Sequence, residues 1–213
     1  MPVTDALDRP SPAIRGAARG RPRTTEAAKR ARLERRAKLL AGGFMLPGPG
    51  RHIAFDLGTH VGVAVYDARK CGLSDCVEVS SLNLSPRDGD GAGMRPLRFE
   101  RMLCQLLDEG PVTWVAYERV HAHLGVQAAH VYGQLMGALT TQCEKAGILY
   151  RAVPVAMGKF AATGNGGATK DMVHLAVHGH FHGVSRRVRS NARIGEDEAD
   201  ALGVLMAALM DLD

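Results

Sequence analysis

The chain has little that would place it in a membrane or outside a cell. No uninterrupted apolar run among its 213 residues reaches the roughly 18–20 positions that a bilayer-spanning helix needs. The N-terminus has no apolar core of the kind a secretory signal carries, so a soluble, intracellular protein with no membrane partner is expected. Four cysteines are too few for a disulfide framework in a chain of this length. Cys71, Cys76, Cys104 and Cys143 are therefore expected as reduced thiols. Cys71 and Cys76 are close enough in sequence to be two zinc ligands, but no second pair matches them, which favours packing or surface roles. There is no internal repeat and no Walker A motif. His174 and His178, followed by His180 and His182, lack the Glu-x-x-His pattern of a zincin and are read as partly exposed helix residues.

What is present suits one folded domain with a tail: 46% hydrophobic residues and 23% charged ones are ordinary globular values. The charge is unevenly placed. Residues 1–51 hold 12 Lys+Arg against 4 Asp+Glu, a net of +8, whereas 52–213 hold 15 against 18, a net of −3. On charge alone the tail fits an arm that holds polyanions or a merely solubilising or targeting extension. Pro2, Pro10, Pro12 and Pro22 among Arg, Ala and Gly predict disorder over 1–23. Strong helix formers from Thr25 to Ala41 predict one basic helix, and Pro47-Gly48-Pro49-Gly50 a linker. The expected division is therefore a basic tail over 1–48 and a domain over 49–213.

Within that domain, Ile53–Leu57 and Val61–Tyr66 flank a turn over Gly58–Gly62 and read as a hairpin, with a third strand at Cys76–Leu82. After a Gly- and Asp-rich loop over Pro86–Gly93, the spacing of Leu97, Met102, Leu103, Leu106 and Leu107 predicts a helix. Val112–Tyr117 is a fourth strand, Val126–Lys145 a long helix, and Ile148–Val153 a fifth strand ended by Pro154. The rest reads as a helix from Ala168 to Val177, a basic loop over Val184–Ile194, and a closing helix to Met210. Three strands in hairpin order followed by strands alternating with helices predict an α/β domain, a mixed five-stranded sheet flanked by helices whose later strands run parallel.

Carboxylates stand at three places in this order. Asp56 sits in an apolar strand before Gly58-Thr59, where an unpaired charge is costly unless it is hydrogen-bonded or holds a cation. Glu118 closes the fourth strand. Asp197 and Asp200, three apart, share one face of the last helix, and that face continues into its apolar side. Taken singly, these also fit a turn aspartate, a solvated strand end and acids complementing a helix dipole, the role read for Glu196 and Glu198. Taken together, they are the three or four carboxylates from separate elements that metal-assisted phosphodiester hydrolysis requires.

The motifs Asp56-Leu57-Gly58-Thr59, Val115-Ala116-Tyr117-Glu118, Thr163-Gly164-Asn165-Gly166-Gly167-Ala168-Thr169-Lys170 and Asp197-Glu198-Ala199-Asp200 occur in an order that resembles the RuvC family of Holliday-junction resolvases. The likeness runs from about Arg51 to Leu209 and is nearest to the phage-type branch. It implies an RNase H-like fold and a magnesium-dependent endonuclease, with manganese able to substitute. It further implies two ions per site held by Asp56, Glu118, Asp197 and Asp200, and a homodimer acting on four-way or otherwise branched DNA in DNA recombination and repair. Lys170 is implied as a catalytic phosphate contact and Lys159 as a second DNA contact. Arg119, Arg186, Arg187, Arg189 and Arg193 are candidate DNA-backbone contacts, the last four crowding the loop before the acidic helix. At His121 the chain departs from well-known members, which carry an aromatic that probes the junction. The long helix with Gly133 and Gly137 is the expected dimer interface. The expected location is the cytoplasm, with the nucleoid or in a phage-infected host, and organellar targeting by the basic N-terminus stays open. Two rival readings are an ATPase of the sugar-kinase, chaperone and actin type, which needs two such domains where this chain has room for one after its tail, and an inactive DNA-binding module.

Overall fold

In the computed structural model, the elements that hold the site are six strands and five helices, built from residues 50–70, 76–121, 125–181, 185–186 and 194–210. The predicted disorder, helix and linker of the basic tail lie outside the described residues, as does most of the basic loop. Strand β1 (Arg51–Asp56) turns over Leu57–Thr59 into β2 (His60–Asp67), and β3 (Val77–Asn83) follows. Helix α1 (Met94–Asp108), β4 (Val112–Arg119), α2 (Val126–Ala146), β5 (Leu149–Pro154), α3 (Val155–Thr163), α4 (Lys170–His180), β6 (Ser185–Arg186) and α5 (Glu196–Leu209) complete the order.

The sheet order is β5-β4-β1-β2-β3-β6. The pairs β1–β2 and β2–β3 are antiparallel, whereas β1–β4 and β4–β5 are parallel, which is the predicted mixed sheet of five strands. The two-residue β6, paired parallel to β3, is an addition. The predicted turn over Gly58–Gly62 is shorter than expected, because Gly62 already pairs with Asp56 inside the ladder.

Alternation along the strands separates two apolar layers. Ile53, Phe55, Val61, Val63, Val65, Val115 and Tyr117 face α1 and α2, meeting Phe99, Leu103, Leu135 and Leu139. Ala54, Ala64, Ala116 and Val153 face the other way, against α3, α4 and α5. These inward positions are small because α5 lies directly on the sheet: Ala199, Ala201, Leu202, Gly203, Val204 and Leu205 are all buried. On its far side the backbones of Gly203 and Gly158 touch, so that a Cβ built on Gly203 would stand 3.3 Å from the Gly158 carbonyl. Helix α3, which was not expected from sequence, is the element that covers this second face of α5. Gly147 ends α2 in the left-handed conformation (φ 65°), the ordinary glycine stop. Cys76, Cys104 and Cys143 are free thiols.

Candidate active site

The period-2 rule that places Ala54 and Ala116 under α5 places Asp56 and Glu118 on that same face, at the carboxyl ends of two parallel neighbours. Phe55 aligns with Tyr117, so the two acids stand one residue further along adjacent strands. The Tyr132 hydroxyl of α2 donates to the Glu118 carbonyl at 2.9 Å and steadies the end of β4.

The first turn of α5 lies over this position. A Cβ on Gly62 would stand 1.8 Å from the Asp197 carbonyl oxygen and 3.2 Å from the Ala201 Cβ, an approach open only to a residue with no side chain. Gly62 thus sets the height at which Asp197 and Asp200 meet the sheet. Glu198, read from sequence as a dipole-complementing acid, is instead buried at 2% exposure. Its carboxylate accepts the Gly195 N–H at 2.9 Å and a weak bond from the Ser81 hydroxyl at 3.4 Å, which caps α5 and ties it to β3.

The four predicted ligands act on one another electrostatically. Asp56 is pushed from 3.8 to about 8, chiefly by burial and then by the charges of Glu118, Asp200 and Asp197, with Lys170 opposing. Burial, then Asp200, raises Glu118, and Lys170 and Lys159 pull it back. Burial also raises Asp197, along with Asp200 and Glu196, while His60 and Lys170 oppose. Asp200 above all raises Lys170, and their side chains pair at 3.1 Å. Lys170 is 67% exposed, so this pair contributes little to stability, about 0–1 kcal/mol. The cation has an open side toward solvent, where a phosphate oxygen can reach it.

Like charges gathered at the edge of an apolar core are the donor set expected for a hard divalent cation, which takes carboxylate oxygens and keeps waters. The residues therefore fit magnesium or manganese. Among the described residues, no three His, Cys, Asp or Glu side chains yet stand in ligating proximity. The mutual repulsion just described and the Lys170 ammonium on Asp200 both favour such a spread arrangement.

The Gly-rich stretch is ordered by its own bonds. Gly164, at φ 71°, ends α3, Asn165 Oδ1 accepts the Gly167 N–H at 3.0 Å, and Thr169 Oγ1 caps α4 by accepting from Met172 N–H at 3.3 Å. Helix α4 consequently starts at Lys170 rather than at Ala168. The Lys159 ammonium donates to the Ala168 carbonyl at 2.9 Å, so Lys159 braces this turn while lowering Glu118. Arg119, the last residue of β4, and His121, two residues beyond it, are both exposed. Arg186 belongs to β6, and Arg187, Arg189 and Arg193 lie outside the described residues. Sequence reasoning missed His60, which opposes the rise of Asp197; its position four residues after Asp56, where β2 leaves the hairpin turn, was the available signal.

Among the described residues, Gly133 and Gly137, on α2, meet nothing within 4 Å of a built Cβ. No helix among the described residues is long and apolar enough to cross a membrane.

No protein-family model and no curated protein sequence matches the chain. Solved structures do. RuvC of Thermus thermophilus in complex with a Holliday junction substrate superposes with a TM-score of 0.58 at 22% identity, over 74% of this chain and 92% of that one. A second Thermus thermophilus RuvC structure gives 0.56 at 22% identity, over 75% and 93%. The yeast mitochondrial Holliday junction resolvase Ydc2 aligns at 0.49 and 14% identity, over 82% and 83%, too loosely to carry weight. The domain therefore has the RNase H-like fold seen in the RuvC resolvases.

Proposed function

We propose that this chain is a divalent-metal-dependent endonuclease that cuts branched DNA, four-way junctions above all, as a homodimer. The observation that carries the reading is the convergence of Asp56, Glu118, Asp197 and Asp200 from three elements onto one face, with the Asp56 carboxyl held up to about 8. Lys170, Lys159 and His60 offset the four carboxylates only in part, and Asp56, Glu118 and Asp197 all stay raised.

Asp56, Glu118, Asp197 and Asp200 would hold the cations. Two magnesium or manganese ions, when bound, supply an activated water to attack phosphorus and charge to stabilise the leaving 3′ oxygen. The chain's own residues prepare for this. Asp56 keeps its proton at neutral pH while the site is free of cations and releases it when positive charge enters. Lys170 stands on an open edge of the cluster, where it can bind a phosphate oxygen and favour the more highly charged transition state. Lys159 and Thr169 hold the Gly-rich turn so that Lys170, at the start of α4, meets the acidic cluster at Asp200. Arg119 and Arg186, with Arg187, Arg189 and Arg193, add sequence-independent phosphate contacts, and His121 takes the place of a junction-probing aromatic. Gly133 and Gly137 of α2, which meet no neighbour among the described residues, suit a two-fold interface that sets two sites on opposed strands.

The test is a binding gel in calcium beside a cleavage gel in magnesium, on synthetic junction, fork and linear duplex. Asp56→Asn, Glu118→Gln and Asp197→Asn should each abolish cutting and bind the junction at least as well as wild type, because repulsion toward phosphate falls. An Asp56→Asn variant that cuts at the wild-type rate would refute the assignment.

A further inference from the structure

Helix α4 carries two half-buried histidines one turn apart, His174 and His178, with rings edge-to-face at 4.5 Å between centroids. Both point their Nε2 at a single atom: the Ile194 carbonyl oxygen, at 2.7 Å from His174 and 3.2 Å from His178. A carbonyl oxygen accepts only and has two lone pairs, so both histidines carry the Nε2 proton and both donate. The Ile194 side chain is buried at 7% exposure in the same apolar cluster as Val173 and Val177 of α4. The chain is thus gripped at Ile194 through its side chain and through its backbone by one helix.

The place of this grip matters. Ile194 immediately precedes Gly195, the N-cap of α5, which has no side chain with which to fix the helix start. Three residues further on is Asp197, its carbonyl seated on Gly62, and Asp200 is on the next turn. We infer that His174 and His178 are positioning residues for the carboxylates of α5: by clamping the Ile194 carbonyl they set where Asp197 and Asp200 stand relative to Asp56 and Glu118. The inference rests on the metal-dependent function proposed above and adds two residues to it that act through the backbone.

The chemistry of the clamp supplies its own control. Glutamine places an amide N–H at a reach comparable to His Nε2, so a Gln pair can still hold the carbonyl, whereas an Ala pair leaves it to water. The experiment uses the full chain, cleared of cations, and reads Mn2+ binding by the electron paramagnetic resonance of the free ion, beside amide exchange across residues 197–200. The double variant His174→Ala/His178→Ala should bind Mn2+ about tenfold more weakly, the usual size of effect for removing a group that orients metal ligands. It should also exchange the first-turn amides of α5 faster while the sheet amides keep their protection. His174→Gln/His178→Gln should return to within about threefold of wild type, on the same scale, and the single His178→Ala, which spares the shorter bond, should fall between. An Ala pair that binds Mn2+ like wild type with unchanged exchange overturns the inference, as does a Gln pair no better than the Ala pair. A wild-type chain that binds no Mn2+ at all overturns the function proposed above and this inference with it; a wild type that binds beside an Ala pair that binds equally overturns this one alone.

Discussion

Replacing Asp56 by asparagine should stabilise the cation-free protein, and it should do so in a pH-dependent way. Asp56 is raised from 3.8 to about 8, so the folded chain holds a proton that the unfolded chain has lost. A carboxyl raised in this way contributes stability that is complete below the unfolded value of 3.8, declines as the pH rises, and is gone once the pH passes about 8. The difference between 3.8 and about 8 sets a ceiling near 6 kcal/mol, at about 1.4 kcal/mol for each tenfold step. Glu118 and Asp197 are raised by the same burial and remain in the variant, so about 2–3 kcal/mol is the expected gain at pH 8. For a domain of this size that is about 5–10 °C in Tm. Near pH 3 the advantage should vanish, because Asp56 is then neutral in the fold and mostly neutral in the unfolded chain as well. Thermal unfolding of wild type and Asp56→Asn, in chelator and across that pH range, measures it. Magnesium added at pH 8 should then raise the Tm of wild type and leave the variant nearly unchanged. A variant less stable than wild type at pH 8, or one whose advantage is the same at both ends of the range, would show that Asp56 is not in a buried, self-repelling acidic cluster.

Two further substitutions and a truncation test other parts of the reading. Lys170→Ala should slow cleavage in magnesium by at least about tenfold, one 1.4 kcal/mol step of transition-state stabilisation, while changing junction binding in calcium far less; equal losses in rate and affinity would make Lys170 a simple phosphate contact. Gly62→Ala puts a methyl carbon 1.8 Å from the Asp197 carbonyl, so it should cost at least about 3 kcal/mol in chemical denaturation and lift α5 off the sheet; a variant of wild-type stability would mean that α5 does not sit there. Deleting residues 1–48 should weaken binding to all DNA forms and flatten the dependence of affinity on salt, and an unchanged salt slope in a filter-binding series would remove the tail from the interface.

Much of this domain is legible in one sequence because its signals are local. The hairpin over 53–66, the strand at Val112, the long α2 and the acidic start of α5 all declare themselves by spacing, composition or end chemistry, and they stand where the sequence places them. Asp56, Glu118, Asp197 and Asp200 were identifiable for the same reason, since a charge at the end of an apolar run is visible without any partner. Helix α3 is not visible in this way. It is nine residues long, follows directly on Pro154, and exists because Gly158 can lie against Gly203, a contact between residues 45 positions apart. The same holds for Gly62 under Asp197, for Glu198 turned inward to cap α5, for Lys159 bracing the Ala168 carbonyl, and for two histidines closing on Ile194. Periodicity and end chemistry are properties of a chain segment, so the amino-acid order alone determined the five main strands, every helix but α3, and which acids are costly to bury. Which backbone approaches which, and therefore how those acids are held together, depends on contacts between distant segments, and only the tertiary structure decided it.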